Sequence, residues 1–237
     1  MWRISSVLSV VAIALLFVAA DAQQQAPRRS TAPMLTSEDV LSPLPATSVA
    51  EPNVSGTGLS GSPLRNPRIV LENALIKMGE VNSVRTRLQT SMPGGDREVL
   101  IESMKPDRVH VTSPFGEMIG IGRKFYIKSA GTWQVTSAPA SAVKSDAGFD
   151  YRTFVKQMTG KAGVRITGQK LGSEMIDGVD AVVYEFTVTD AAETAKIQLC
   201  VGKDDGYIRR MALSGGAVGI RMWFTNINEH ISIEPPM

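Results

Sequence analysis

The stretch that decides the fold is Ala181-Val182-Val183-Tyr184-Glu185-Phe186-Thr187-Val188-Thr189. Its even-numbered positions are all large and apolar, whereas Glu185 and Thr187 on the other phase are polar. Alternation with a period of two is the signature of a strand that buries one face, and β-branched and aromatic residues favour strands. The stretch therefore predicts a strand in an antiparallel sheet that has one apolar and one solvated face.

Ten further segments on either side of this stretch show the same extended pattern. Pro93–Asp96 and Lys203–Gly206 have the composition of hairpin turns between neighbouring segments. Strands do not alternate with helices along the chain, which argues against a parallel α/β fold. The predicted strands are 84–92, 98–104, 107–112, 118–121, 125–128 and 132–135, followed by 164–171, 181–189, 195–201, 207–213 and 219–226.

Two helical segments complete the predicted domain. Pro67 suits a first helical turn, Leu71, Leu75 and Met78 follow at helical spacing, and Gly79 ends the pattern. The second segment is 145–160. We predict an α+β domain, a curved antiparallel sheet of about ten strands with the helices on its concave face, which leaves an apolar groove. The expected lining is Val84, Leu88, Met92, Ile101, Val109, Val111, Ile121, Tyr184, Phe186 and Val188, covered by Phe149, Phe154 and Met158.

The residues before this domain have a different composition. Residues 1–22 combine Arg3 with an apolar run and the small-residue ending Ala20-Asp21-Ala22, as in a secretory signal peptide. The apolar run of about fourteen residues is short for a membrane-spanning helix, although a retained anchor is the alternative. Residues 23–66 are rich in Ala, Pro, Ser, Thr and Gly, which predicts a disordered leader. The folded domain is then 67–237.

Composition and motifs argue against several functions. The 25 Lys and Arg residues nearly balance 23 Asp and Glu without a basic block, so a nucleic-acid partner is not expected. Cys200 is the one cysteine, which leaves no internal disulfide, and the two histidines lack metal-ligand spacing. The Ser141-x-x-Lys144 match lacks the companion motifs of serine hydrolases. We expect no enzyme activity, no cofactor and no metal site.

Three stretches resemble the LolA-like superfamily of lipoprotein carriers. They are Met104–Pro114 with its Lys105-Pro106 pair, the hairpin segment Arg123–Trp133, and the ending Ile231–Pro236. This superfamily includes LppX- and LprG-type lipid-binding lipoproteins and RseB-type sensor domains. The resemblance implies a half-barrel with a helical lid over a cavity for acyl chains. It also implies that Lys105, which occupies the position of the family's basic residue before the proline, latches the lid.

The resemblance implies a monomeric, non-catalytic periplasmic carrier of a lipid or an acylated lipoprotein. A membrane-bound donor or receptor would be its other partner. Methionine side chains distributed through the domain suit a lining that accepts flexible chains. The alternative that the sequence leaves open is a regulatory binding module of the RseB type, which would bind the exported part of a membrane protein.

Processing of the N-terminus gives the first testable prediction. If Ala20-Asp21-Ala22 directs cleavage, the exported protein begins at Gln23 and remains in solution. The intact mass of the protein recovered from an exporting host measures this directly. Recovery of the full-length chain in the membrane fraction would contradict it.

Overall fold

A computed structural model describes residues 61–92, 95–129, 131–137, 163–190, 194–215 and 218–237. Within these ranges the chain forms one helix and one twelve-stranded sheet. The helix α1 is Pro67–Met78. The strands are β1 Ser62–Pro63, β2 Ser83–Met92, β3 Gly95–Met104, β4 Arg108–Ser113, β5 Gly116–Ile121, β6 Lys124–Ser129, β7 Thr132–Ser137, β8 Arg165–Ile176, β9 Val179–Thr189, β10 Thr194–Gly202, β11 Ile208–Gly215 and β12 Val218–Thr225.

The sheet consists of two antiparallel meanders joined side by side. Its strand order is β1-β8-β9-β10-β11-β12-β2-β3-β4-β5-β6-β7. Strands β2–β7 and β8–β12 each follow the chain, and β12 pairs with β2 over seven residue pairs from Gly219–Ser91 to Thr225–Arg85. The sheet does not close on itself, because β7 and β1 are at opposite ends of this order. The predicted curved half-barrel is confirmed, with twelve strands instead of about ten.

Strand alternation separates the two faces of the sheet. On β9, the deciding stretch places Tyr184 and Phe186 on the face that α1 covers, and Phe186 is completely buried there. We call this the concave face and the opposite one the convex face. Val183 and Ala181 lie on the convex face in a separate small cluster with Cys200. One sheet therefore has apolar clusters on both faces, and the larger one is concave.

Helix α1 begins at the predicted proline and ends where Gly79 was expected to stop it. Leu71, Leu75 and Met78 are buried against the concave face, as their spacing predicts. The N-terminal end lies at Gly168 of β8, where an added Cβ would be 3.0 Å from the Pro67 Cβ. The C-terminal end lies near β11, where the Ile208 N–H is 3.3 Å from the Met78 sulfur. The helix therefore lies along the β8–β11 side of the sheet.

The C-terminal segment after β12 differs from the prediction. The resemblance of Ile231–Pro236 to the end of the LolA-like domain implies a last core strand, but Ile231–Glu234 forms no ladder with the sheet. It crosses the convex face, where Ile231 and Ile233 pack with Ile119. The Arg108 guanidinium donates to the Ile233 carbonyl at 2.8 Å, and the Ser83 hydroxyl donates to the Glu229 carbonyl at 2.5 Å. The alternation of apolar residues at this end of the chain therefore reflects packing on the surface of the sheet. The segment is not a strand of the sheet.

The folded domain begins before the predicted boundary at residue 67. Ser62 and Pro63 of β1 pair with Lys170 and Gln169 of β8. Leu64 is partly buried against the main cluster, and its N–H donates to the Gly168 carbonyl at 2.9 Å. Residues 61–64, which were assigned to the leader, therefore contact the sheet. Residues 1–60 lie outside the described part of the chain.

Two deletions test the contribution of residues 61–66. Removing residues 23–60 should leave the melting temperature nearly unchanged, because their composition offers little apolar surface. Extending the deletion through Asn66 removes the β1 pairs and the Leu64 contact, and should cost about 1–2 kcal/mol or roughly 3–6 °C. Thermal unfolding of both truncated proteins measures the difference. Equal melting temperatures would show that residues 61–66 contribute nothing.

Candidate functional site

The concave face unites most of the residues predicted to line a groove. Leu88, Ile101 and Phe186 are buried in the main cluster. The partly buried residues of the prediction that pack against it are Val84, Val109, Val111, Tyr184 and Val188. These residues come from four strands of both meanders, so the register between β12 and β2 is what places them on one surface.

Ile121 was expected on this surface but lies on the convex face. It pairs with Arg108, one residue out of phase with Val109, and it packs beside Ile119 under the C-terminal segment. Met92 is the last residue of β2 and pairs with Gly95. Phe149, Phe154 and Met158 lie outside the described residues, as do Ser141 and Lys144. The predicted cover of the groove by residues 145–160 therefore stays a prediction.

Sequence reasoning missed about half of the concave lining. Most of the missed residues lie on β10, β11 and β12, which were predicted as strands but not assigned a face. A register shift between Cys200 and Val201 breaks the alternation on β10 and β11, so simple period-two counting fails there. The additional concave residues are Ile197, Leu199, Ile208, Met211, Leu213, Ile220, Met222 and Phe224.

Helix α1 covers only one side of this surface. It packs along β8 and β11. On β4–β6, beyond the helix, Val109, Val111, Phe125 and Ile127 are half-buried and share the concave phase with Met118. Together these side chains form an apolar floor on the β4–β6 part of the concave face.

Charged side chains on β2–β7 are strongly segregated between the faces. All four carboxylates on these strands lie on the convex face. The register pairs them with residues of neighbouring strands that also lie on that face. The four carboxylates are Asp96, Glu98, Glu102 and Glu117. Arg97 is the one charged residue of β2–β7 in the concave phase, paired with Thr90 on β2. Its guanidinium carbon is 5.0 Å from the centre of the Phe115 ring in the β4–β5 turn.

The convex face carries a row of alternating charges across five strands. Arg85 donates two hydrogen bonds to Glu102, at 2.9 and 2.6 Å. The two ring nitrogens of His110 lie 3.1 Å from Glu102 and 2.9 Å from Glu117. Lys128 then donates to Glu117 at 3.2 Å. The row links β2 to β6 by side chains in addition to the backbone ladder.

Both carboxylates in this row have lowered pKa values. Partial burial raises the pKa of Glu102, but hydrogen bonds from Arg85 and His110 and their positive charge outweigh burial and lower it overall. The hydrogen bond with His110 is the main cause of the lowered pKa of Glu117, against a smaller effect of burial. Their ionised forms therefore stabilise the folded state.

Lys105, the predicted lid latch, contacts the end of α1. Its ammonium donates to the carbonyl of Gly79 at 2.7 Å, directly after the last helical residue. Its own N–H donates to the Asn82 carbonyl at 2.7 Å. A cation at a helix C-terminus interacts favourably with the unpaired carbonyl groups there. Lys105 thus joins the β3–β4 turn to the helix that covers the concave face.

The single cysteine is enclosed on the convex face. Cys200 is fully buried, and its thiol donates to Glu174 at 2.8 Å while Arg210 donates to the same oxygen at 2.5 Å. Burial, together with the hydrogen bond to Glu174, raises the pKa of the thiol to about 12. A protonated, buried thiol is a poor nucleophile and metal ligand. Cys200 therefore acts as a packing residue.

Two further features concern the described residues alone. No group of three or more His, Cys, Asp or Glu side chains among them could hold a metal ion. No helix in these ranges has the length and apolar character required to cross a bilayer.

Comparison with known proteins addresses the fold. No protein-family model matches the sequence, and no curated protein matches it significantly. The crystal structure of LprF from Mycobacterium bovis matches with a TM-score of 0.53 at 14% identity, covering 74% of this chain and 99% of LprF. This chain has the fold of LprF. The fold predicted from the LolA-like resemblance is confirmed.

Two other solved structures are similar at lower scores than LprF. The lipoprotein LppX from Mycobacterium tuberculosis has a TM-score of 0.46 at 14% identity, with 70% of this chain and 97% of LppX covered. A chain of the MucA/MucB complex from Pseudomonas aeruginosa has a TM-score of 0.41 at 16% identity, with 69% of this chain and 56% of that chain covered.

The row of charges on the convex face predicts a loss of stability in acid. Because the pKa of Glu102 is lowered on folding, its contribution is complete above the ordinary value of 4.5 and disappears as the pH falls through the folded value. Glu102→Gln should therefore cost about 1 kcal/mol at pH 7 and less at pH 4, below the ordinary pKa of 4.5. Melting temperatures measured at both pH values test this. Glu98→Gln, on the same strand and face without an ion pair among the described residues, is the control and should show no such pH dependence.

Proposed function

We propose that this protein binds the acyl chains of a lipid or of an acylated lipoprotein on its concave face and carries them outside the cytoplasm. The observation that carries the proposal is the apolar floor on β4–β6, where Val109, Val111, Phe125 and Ile127 remain half-buried beyond α1. An apolar surface that serves only as part of the hydrophobic core would be expected to be fully covered by other residues. The segregation of carboxylates to the convex face also favours apolar contents on the concave one.

The energetics of binding support this proposal. Burial of an acyl chain contributes about 0.8 kcal/mol per methylene group, so a chain of about ten methylenes in contact with the floor supplies substantial affinity. Methionines are part of the lining, with Met118, Met211 and Met222 in the concave phase. Their unbranched, polarisable side chains adapt to ligands of varied shape. No chemical step at the site is part of the proposal, which describes a non-catalytic, monomeric carrier.

Export and delivery belong to the same proposal. The signal-like residues 1–22 support export to the periplasm, where a water-soluble carrier would shield acyl chains between membranes. A donor or receptor in a membrane would then load or unload the protein. The fold shared with LprF is compatible with this role and does not identify the ligand.

A pair of neighbouring substitutions tests the proposal. Val111 lies half-buried on the concave face and Thr112, the next residue, is exposed on the convex face. Val111→Lys places a charge in the apolar floor and should weaken binding of a fluorescent fatty acid at least tenfold. Thr112→Lys makes the matched change on the other face, opposite Glu117, and should leave binding unchanged.

Melting temperatures of the two variants show whether each folds, and native mass spectrometry of the wild-type protein from its host should reveal bound lipid or acylated peptide. Wild-type protein that is ligand-free and binds the probe no better than an unrelated protein would overturn the carrier proposal. Binding to the exported part of a membrane protein under those conditions would favour the regulatory alternative.

A further inference from the structure

We infer that Arg97 binds the anionic headgroup of the ligand, so that the preferred ligand is an amphiphile with an oxyanion next to its acyl chain. This inference rests on the proposed function, because it concerns the same concave face. It identifies a specificity-determining residue and a chemical class of ligand.

Arg97 stands near one end of strand β3. It lies two residues into β3, next to the β2–β3 hairpin, in phase with Val99, Ile101 and Ser103 of the concave face. These four positions extend along the strand for roughly 20 Å. The cation therefore stands at one end of a strip whose next two members, Val99 and Ile101, are apolar, as the head of an amphiphile stands at the end of its tail.

The positive charge of Arg97 is not balanced by a carboxylate of the same strands. Among the described residues it forms no ion pair, and every carboxylate of β2–β7 is on the opposite face. Two other arginines of the same strands are compensated, Arg85 by Glu102 and Arg108 by Glu234. Arg87 forms no ion pair among the described residues either, but it lies on the convex face. Arg97 therefore has a positive charge beside apolar side chains, and no carboxylate of β2–β7 balances it. A ligand that carries its own anion would balance this charge.

The guanidinium of Arg97 is stacked on an aromatic ring. The Phe115 ring lies 5.0 Å from its carbon, so the aromatic face holds one side of the planar group. The N–H groups around the edge of that plane remain available to donate. A planar fork with several donors binds carboxylate and phosphate oxygens in pairs, and these two oxyanions share the chemistry that Arg97 recognises.

A binding series with the full-length exported protein tests the inference. Three fluorescent probes with the same acyl chain would be compared: a fatty acid, its methyl ester and a monoacyl phosphate. Wild-type protein should bind at least one of the two anionic probes about tenfold more tightly than the ester, and this preference should fall with added salt. The stronger of the two anionic probes identifies the carboxylate or the phosphate as the headgroup.

Arg97→Gln should lose the preference for the anionic probes and bind the ester as the wild type does. Arg87→Gln is the matched control, because Arg87 also stacks on an aromatic ring, 4.4 Å above Trp223, but lies on the convex face. It should retain the full preference. The wild-type comparison of acid and ester requires no variant and stands even if Arg97→Gln fails to fold.

Two results would overturn the inference and can be told apart. Equal affinity of wild-type protein for acid, phosphate and ester, or a preference that survives in folded Arg97→Gln protein, removes the role of Arg97 and leaves acyl-chain binding intact. Failure of the wild-type protein to bind any of the three probes removes the proposed function and the inference with it.

Discussion

The pairing of β12 with β2 is the constraint on which the rest of the structure depends. Each meander is built from local hairpins, but only this ladder joins the two into one sheet. Its register sets Met222 opposite Leu88 and Phe224 opposite Thr86, which makes the concave surfaces of both halves continuous. A slip of one residue would turn one half over relative to the other and place Arg87 among the apolar side chains. The ladder also spans a large sequence separation, so its formation is entropically the most demanding step of assembly.

The two faces stabilise the domain by different means. The concave face holds α1 and the main apolar cluster, so hydrophobic burial dominates there. On the convex face, a row of charges extends from Arg85 to Lys128, and the C-terminal segment covers a second apolar cluster. The side-chain hydrogen bonds and ion pairs that connect neighbouring strands of β2–β6 are concentrated on the convex face. The concave face can therefore be apolar up to Arg97 without loss of these connections.

Most of the fold could be predicted from the sequence because strand periodicity is strong. All eleven strands expected from the pattern are present, and α1 begins at Pro67 as its composition indicates. The two-residue strand β1 was missed, since so short a segment has no period and depends entirely on its partner β8. The Ile231–Glu234 segment alternates like a strand, yet its backbone lies on a sheet surface. The local sequence pattern does not distinguish a strand within the sheet from a segment that packs on the surface of the sheet.

The candidate site was harder to predict than the fold. On β5, Met118, Ile119 and Ile121 are apolar in both phases, because the C-terminal segment covers the convex face at that point. Alternation therefore could not assign Ile121 to a face. The concave position of Arg97 follows from phase with Val99 and Ile101, and its separation from the four carboxylates of β2–β7 depends on the registers of β3–β5. Such relations appear only when the register of the whole sheet is known.

The C-terminal segment has a mechanical consequence for the domain. It is fixed to β2 through Ser83, to β4 through Arg108 and to β5 through Ile119, so it crosses the outside of the sheet as a strap. A sheet that flattens or tightens has to change the spacing along its outer surface, and a strap attached at three strands resists that change. The curvature between β2 and β5 is therefore held constant. Flexible side chains such as Met118 and Met222 are then the part of the concave face that can change shape by rotation.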